Sequence, residues 1–273
     1  MRILNRLSLK FLETISRGSG KKKYQSFFEK MLQVALLGMN IGGGSSVESS
    51  GEIPALKYVR KKLTNAKEPV IIFDVGANLG KYALMIAKIF HQKKTEIYSF
   101  EPSKNTYAKL QENCSKRENI KPLNFGLSDK EEKVTLYLDE KTSGLASVYK
   151  RRLDHFNLSM NIEEEIQLKT LDEFCSSNNI KKIDLLKLDV EGNELRVLEG
   201  AKSMLEKRAI RFIQFEFGGC NIDSRTFFQD FYYKLKDNYR IYRIVNDGLY
   251  EVKEYKETYE IFITTNFLAE LRK

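Results

Sequence analysis

The sequence predicts an α/β fold built on a mostly parallel sheet with helices on both faces. Three observations carry this. From Pro69 onward, apolar runs of strand length alternate with segments of helical periodicity, the pattern of repeated βαβ units. The first run, Val70-Ile71-Ile72-Phe73, reads as a buried parallel strand because it is apolar without interruption. It passes through Asp74 into a turn holding Gly76, Asn78 and Gly80 before a helix begins.

The elements follow in order. Leu79, Ala83, Ile86, Ala87 and Phe90 share one face of a helix over 79–90, the spacing of a packed helix. A second strand, 95–101, ends in Glu101, and Pro102 starts a helix over 103–115. Then come a strand at 120–125, a β-rich excursion at 133–149, a strand at 183–189, a helix at 194–205, a strand at 209–217 and a helix at 224–237. Closing strands within 239–264 include a hairpin at Asn246-Asp247-Gly248, where Asp-Gly favours a tight turn. Residues 1–52 form a separate helical extension with a Gly/Ser loop, and residues 53–273 form the main domain. Leu4, Leu7, Phe11, Leu12 and Ile15 make one helical stripe in the extension, and Phe27, Phe28, Met31, Leu32, Ala35 and Leu36 make another. Either stripe packs on the domain or on a second subunit, or the basic amphipathic start rests on a membrane surface. Composition reads 41–52 as a linker.

The turn selects among nucleotide-type ligands. A dinucleotide fingerprint needs G-x-G-x-x-G so that pyrophosphate can approach the backbone. Here Asn78 and Lys81 stand where further glycines belong, and Asp74 repels phosphate. Asp74 suits a cationic ligand instead, and S-adenosylmethionine carries a sulfonium and an ammonium group. Glu101, about twenty residues past the turn, is placed to accept hydrogen bonds from ribose hydroxyls; the alternative is that it caps the next helix.

These residues carry a family resemblance. The D-V-G-A-N-x-G-x-Y turn at 74–82, the F-E-P-S strand end at 100–103, Thr170-Leu171-Asp172-Glu173-Phe174, and Asp184-Leu185-Leu186-Lys187-Leu188-Asp189-Val190-Glu191-Gly192-Asn193-Glu194 resemble FkbM-type S-adenosylmethionine-dependent methyltransferases. The resemblance spans roughly residues 40 to 265. It implies a class I methyltransferase (Rossmann-like) fold with a seven-stranded, mostly parallel sheet, acting on hydroxyls of sugars or related natural products. It also implies that Asp74, Gly76, Asn78, Gly80, Tyr82, Glu101 and Ser103 bind the cofactor, with Ser128 and Asp129 near the adenine by position only. Relatives carry a glycine-rich tract ending Ser-Gly-Glu, so 41–52 folds over the cofactor site on this reading. The segment Ser143-Gly144-Leu145-Ala146-Ser147 matches a small polar tract of the family that lies near ligand or serves as a plain loop.

Ligands in an open parallel sheet bind beyond the carboxyl ends of the strands. Asp189, Glu191 and Glu216 end two such strands, so three carboxylates can converge there. Methyl transfer to an alcohol needs a base within hydrogen-bond reach of the acceptor. Asp189 is the first choice, Glu216 the second, and Glu191 orients either. Asp189 and Glu191 also precede a helix and could cap it. A cation could sit among these oxygens, but no spacing fixes a coordination set, so no metal is expected. His155 is a rival base in a charged, exposed segment, and His91 suits a helix C-terminus.

Composition sets looser bounds. The net charge of +9 invites nucleic acid, yet many basic residues alternate with acids, as on a solvated surface. Neither a base-methylating Pro-Pro-Tyr loop nor a Pro-Cys nucleophile occurs, so a small-molecule or glycan acceptor is expected and nucleic acid is not. Cys114, Cys175 and Cys220 are widely spaced, which implies a reducing, cytoplasmic setting. No run reaches the length needed to span a bilayer. The acceptor's identity is open between a sugar hydroxyl and the amine or carboxylate of another small molecule, and a membrane-associated binding module without catalysis is a third alternative. A homo-oligomer is compatible with the sequence.

Overall fold

In the computed structural model of the chain, the described residues are 15–43, 50–63, 69–91 and 93–273. The expected stripe Leu4 to Leu12 and residues 44–49 of the Gly/Ser loop lie outside them.

The main sheet has the strand order β10-β9-β11-β8-β7-β1-β2-β3. Its strands are β1 (Val70–Val75), β2 (Thr95–Phe100), β3 (Ile120–Leu123), β7 (Leu185–Leu188), β8 (Phe212–Phe217), β9 (Tyr239–Val245), β10 (Gly248–Val252) and β11 (Thr265–Leu271). From β3 across to β8 every pairing is parallel, and β11, β9 and β10 add an antiparallel edge. The sheet therefore has eight strands where seven were expected: the expected hairpin at Asn246-Asp247 forms β9 and β10, and β11, which lies between β8 and β9, is added. After β1 the chain winds outward through β2 and β3, then returns to the other side of β1 with β7. That reversal makes a crevice at the carboxyl ends of β1 and β7, where such sheets bind ligands.

Side-chain alternation along the strands sends residues to two cores. Phe73 and Val75 join Phe100, Phe174, Leu188, Phe215 and Phe228 on one face. Ile72 joins Ile86, Phe90, Ile97, Leu110 and Leu268 on the other. The helices are α1 (Gln25–Gly38), α2 (Glu52–Lys62), α3 (Lys81–Ile89), α4 (Lys104–Cys114), α5 (Leu171–Ser177), α6 (Glu194–Glu199), α7 (Lys202–Glu206), α8 (Cys220–Ser224) and α9 (Phe228–Leu235). A small second sheet, β4 (Gly126–Leu127), β6 (Ile162–Lys169) and β5 (Glu132–Leu138), covers one end of the crevice.

Three expectations change. The helix expected at 194–205 is broken after Glu199 into α6 and α7. Gly200 there lies against the chain at Ser128, whose carbonyl oxygen would be 2.0 Å from an added Cβ. The helix expected at 224–237 starts at Phe228, since Arg225 at φ +58° ends α8 in a left-handed turn. The last strand, β11, lies beyond residue 264, and the excursion around 133–149 finds its partner in β6, well downstream.

Candidate active site

The turn after β1 is shaped by neighbouring backbone. Gly76 and Gly80 adopt φ of +80° and +82°, which only glycine does readily. A Cβ on Gly76 would lie 1.8 Å from the carbonyl oxygen of Asp189, and one on Gly80 would strike Leu110 and Cys114. Packing thus requires both glycines, Gly76 against the end of β7 and Gly80 against the face of α4. Asn78 also sits at positive φ, +46°.

Glu101 closes this turn. Its two carboxylate oxygens accept the backbone N–H groups of Asn78 (3.0 Å) and Ser103 (2.9 Å). Burial pushes its carboxyl up to about 7, against the pull of those two donors. Gly76, Asn78 and Glu101 line one wall of an open cleft. Leu127, Leu136, Val148, Ile166 and Leu168 make an apolar wall, and Ser143 and Gly144 complete the rim, so the small polar tract does reach the cleft. The mix of apolar lining with a few polar groups is that of small-molecule sites. The Oδ1 of Asn78 is buried without a hydrogen-bond partner.

Asp74 lies beneath the cleft, fully buried, with neither oxygen hydrogen-bonded. Its cation is resident: Lys187 Nζ stands 3.8 Å away and 2.9 Å from Asp189 Oδ2. Burial raises the Asp74 carboxyl to about 6 even with that lysine nearby. For Lys187, burial acts to lower the ammonium pKa, but Asp189, Asp74 and Glu52 outweigh it and the shift is upward. Tyr82 is also below the cleft, its ring 5.0 Å from Lys187 Nζ and its hydroxyl donating to Gln214. Gln214 in turn donates to Glu52 (2.9 Å), which Ser50 also bonds. The Ser50-Gly51-Glu52 tract therefore packs under the turn, and Gly51, at φ +83°, would meet the Val245 carbonyl at 2.5 Å if it carried a Cβ.

Asp189, Glu191 and Glu216 do converge: one carboxylate oxygen from each lies within 4.8 Å of the others. Val190 and Asn193, on either side of Glu191, line the cleft, whereas none of the three carboxylates does. Arg151 holds Glu191 through an ion pair, with Asp223 3.7 Å from its Nε. Burial, then repulsion from Asp189, raises Glu191 to about 8, and burial with the neighbouring acids pushes Glu216 well above the ordinary carboxylate range. Asp189 is more open than Glu191, with a side chain 37% exposed against 16%. Capping, the alternative for Asp189 and Glu191, is not seen: the N-cap of α6 is Asn193, with no side-chain cap bond, and Glu194 instead secures the turn before the helix. Its carboxylate takes the N–H groups of Val190 and Gly192 while burial raises it to about 7.

The remaining expected residues lie one layer away. Ser103 is buried at the start of α4. Ser128 donates to Asp129 and accepts from Asn193, and Asp129 also meets Arg196. His155 is exposed and stacks on Phe156. The three cysteines are buried and unpaired. Lys187, Glu52, Gln214 and Arg151 were not expected; the one available signal was Lys187, a lone cation inside the apolar run L-L-K-L.

Against known proteins, the sequence model of the methyltransferase FkbM domain matches residues 74–243. Hexuronic acid methyltransferase AglP of Haloferax volcanii is 28% identical over 151 residues, 54% of this chain and 56% of that protein. The 2-O-methyltransferase NoeI of Sinorhizobium fredii is 25% identical over 173 residues, 60% of this chain and 70% of the relative. The crystal structure of an FkbM methyltransferase from Methylobacillus flagellatus aligns with a TM-score of 0.43 at 14% identity, covering 78% of this chain and 47% of that one. The fold assignment therefore rests on the strand order and the family match.

Proposed function

The chain belongs to the FkbM methyltransferase family, and we propose that it is an S-adenosylmethionine-dependent O-methyltransferase acting on a sugar hydroxyl in polysaccharide or natural-product assembly. The observation that carries the reading is the convergence of Asp189, Glu191 and Glu216 past the carboxyl ends of β7 and β8, next in the chain to the cleft residue Val190. Two relatives whose names specify a hexuronic acid and a 2-O position support the acceptor class.

The cleft fits the cofactor. Its apolar wall suits a planar base, and Glu101 suits ribose hydroxyls. The unpartnered Oδ1 of Asn78 awaits a donor. Nearby, Glu52, Asp74 and Asp189 act on Lys187, an acidic balance that favours a positively charged ligand and disfavours the phosphates of NAD. When bound, S-adenosylmethionine supplies a methyl carbon activated by a sulfonium. The protein's own task is then to hold an acceptor oxygen and take its proton. Asp189 performs that step, with Lys187 fixing one of its oxygens and Glu216 as the second candidate; Glu191, locked by Arg151, orients the pair. Binding of S-adenosylhomocysteine but not NAD, read by calorimetry, is the direct test, and binding of NAD alone would remove the assignment.

The 4.8 Å convergence also favours a second reading, a divalent cation held by the three carboxylates. A chelator separates the two: base catalysis by Asp189 survives it, and metal-assisted catalysis does not. An amine or carboxylate acceptor would leave Asp189 to bind rather than deprotonate.

A further inference from the structure

Helix α1 is attached to the domain by few groups. Leu36 is its one buried residue among those described, followed by Ile41 in the connecting loop. Asn40 donates to the carbonyls of Ser50 and Ile244, and Gly42 donates to that of Thr264. On a helical projection, Val34, Phe27, Met31, Ala35, Phe28 and Leu32 form an unbroken apolar arc of roughly 160° that excludes Leu36. The arc thus faces away from the anchor: Val34 is 71% exposed, Leu32 58% and Phe27 48%. Arg17, Lys21, Lys22, Lys23 and Lys30 accompany it against one acid, Glu29, and all five basic residues are exposed.

A second patch adjoins it. Thr265 pairs with Phe217 at the carboxyl end of β8, so the Thr264 carbonyl bonded by Gly42 stands on the edge where the cleft opens. Ile263, next to Thr264, is exposed and would touch a Cβ on Gly42 at 3.2 Å. Phe227, also exposed, packs edge-on to Phe262 at 6.0 Å, and Ile222 is 50% exposed on α8. The apolar rim therefore continues from α1 toward Asp223 and the carboxylate cluster.

We infer that α1 and this rim form a docking face for an anionic membrane surface. An amphipathic helix with lysines beside a broad apolar arc lies in the headgroup region, where apolar burial and attraction to acidic lipids add. Its basic charge matches such a surface and opposes a second copy of the same face. Seated there, the protein presents its cleft to acceptors held at the bilayer. The inference is independent of the chemistry proposed for the cleft.

Vesicle sedimentation of the full chain tests it. Binding is expected to phosphatidylglycerol vesicles, weakening as salt rises, with little binding to phosphatidylcholine. Replacing Lys21, Lys22 and Lys23 by alanine should weaken it by roughly 10²-fold. F27D with V34D should abolish it, while thermal stability and S-adenosylhomocysteine affinity, measured on the same samples, stay as in the parent. No lipid preference, variants that bind like the parent, or light scattering showing a dimer that F27D/V34D splits would each overturn the proposal.

Discussion

Replacing Gly76 by alanine should injure both stability and the site, by an amount the backbone allows one to work out. The residue sits at φ +80°, and its added Cβ would approach the Asp189 carbonyl oxygen to 1.8 Å. The left-handed conformation costs an L-residue about 1–2 kcal/mol. Relieving the overlap means prising β1 from β7, and overpacking of this kind typically costs about 1–3 kcal/mol. A loss of about 2–5 kcal/mol corresponds to a fall in Tm of roughly 4–20 °C for a domain of this size. Gly144→Ala is the matched control, because its Cβ would meet only Asn78 Nδ2 at an ordinary 3.6 Å. Thermal unfolding followed by circular dichroism compares the two, with urea titration checking that the m-value is unchanged. Equal Tm values for the two variants would refute the assignment of Gly76 to backbone packing. Because the clash is with Asp189 itself, Gly76→Ala should also lower turnover in molecules that remain folded.

Lys187→Met leaves Asp74 buried without its cation, which should cost about 3–5 kcal/mol; adding Asp74→Asn should recover part of that in a denaturant titration, and additive losses would contradict the pairing. Asp74, Glu101 and Glu194 have folded-state values near 6, 7 and 7, above their ordinary ones, so between about pH 4.5 and 7 the folded state binds more protons than the unfolded state. The ligand-free protein should therefore lose stability as pH rises through that window, which urea midpoints at stepped pH will show; Glu101→Gln should flatten the upper part. Glu101→Ala should weaken S-adenosylhomocysteine binding through lost ribose hydrogen bonds worth about 0.5–3 kcal/mol each, read by calorimetry.

The parts of the site legible in the sequence were those carried by strand ends. Asp74, Glu101 and the Asp189-Val190-Glu191 run follow apolar runs directly, and the parallel alternation places such ends on one edge of the sheet. Glu216 was legible for the same reason. What stayed hidden depends on contacts between distant segments. Glu52 reaches Gln214 and the neighbourhood of Lys187 only because Gly51 lets α2 begin against the Val245 carbonyl. Glu194 reads as an ordinary first-turn acid, yet it binds the N–H groups of Val190 and Gly192 in the turn before its own helix. Strand β6 begins Ile-Glu-Glu-Glu, with no apolar alternation until Ile166 and Leu168, so this strand that walls the cleft was not expected. The glycines of the turn were legible, but the crowding by β7 and α4 that also demands them comes from distant segments and was not.

Methyl transfer from S-adenosylmethionine to a panel of glycans and nucleotide sugars, compared between the parent and Asp189→Asn, tests the central claim most directly. The variant keeps shape and cofactor binding, so S-adenosylhomocysteine affinity should stay within a few-fold while turnover falls by about 10²–10⁴-fold, with the product methylated on a hydroxyl oxygen. Turnover near that of the parent in both Asp189→Asn and Glu216→Gln, or a product methylated on nitrogen or a carboxylate, would contradict it.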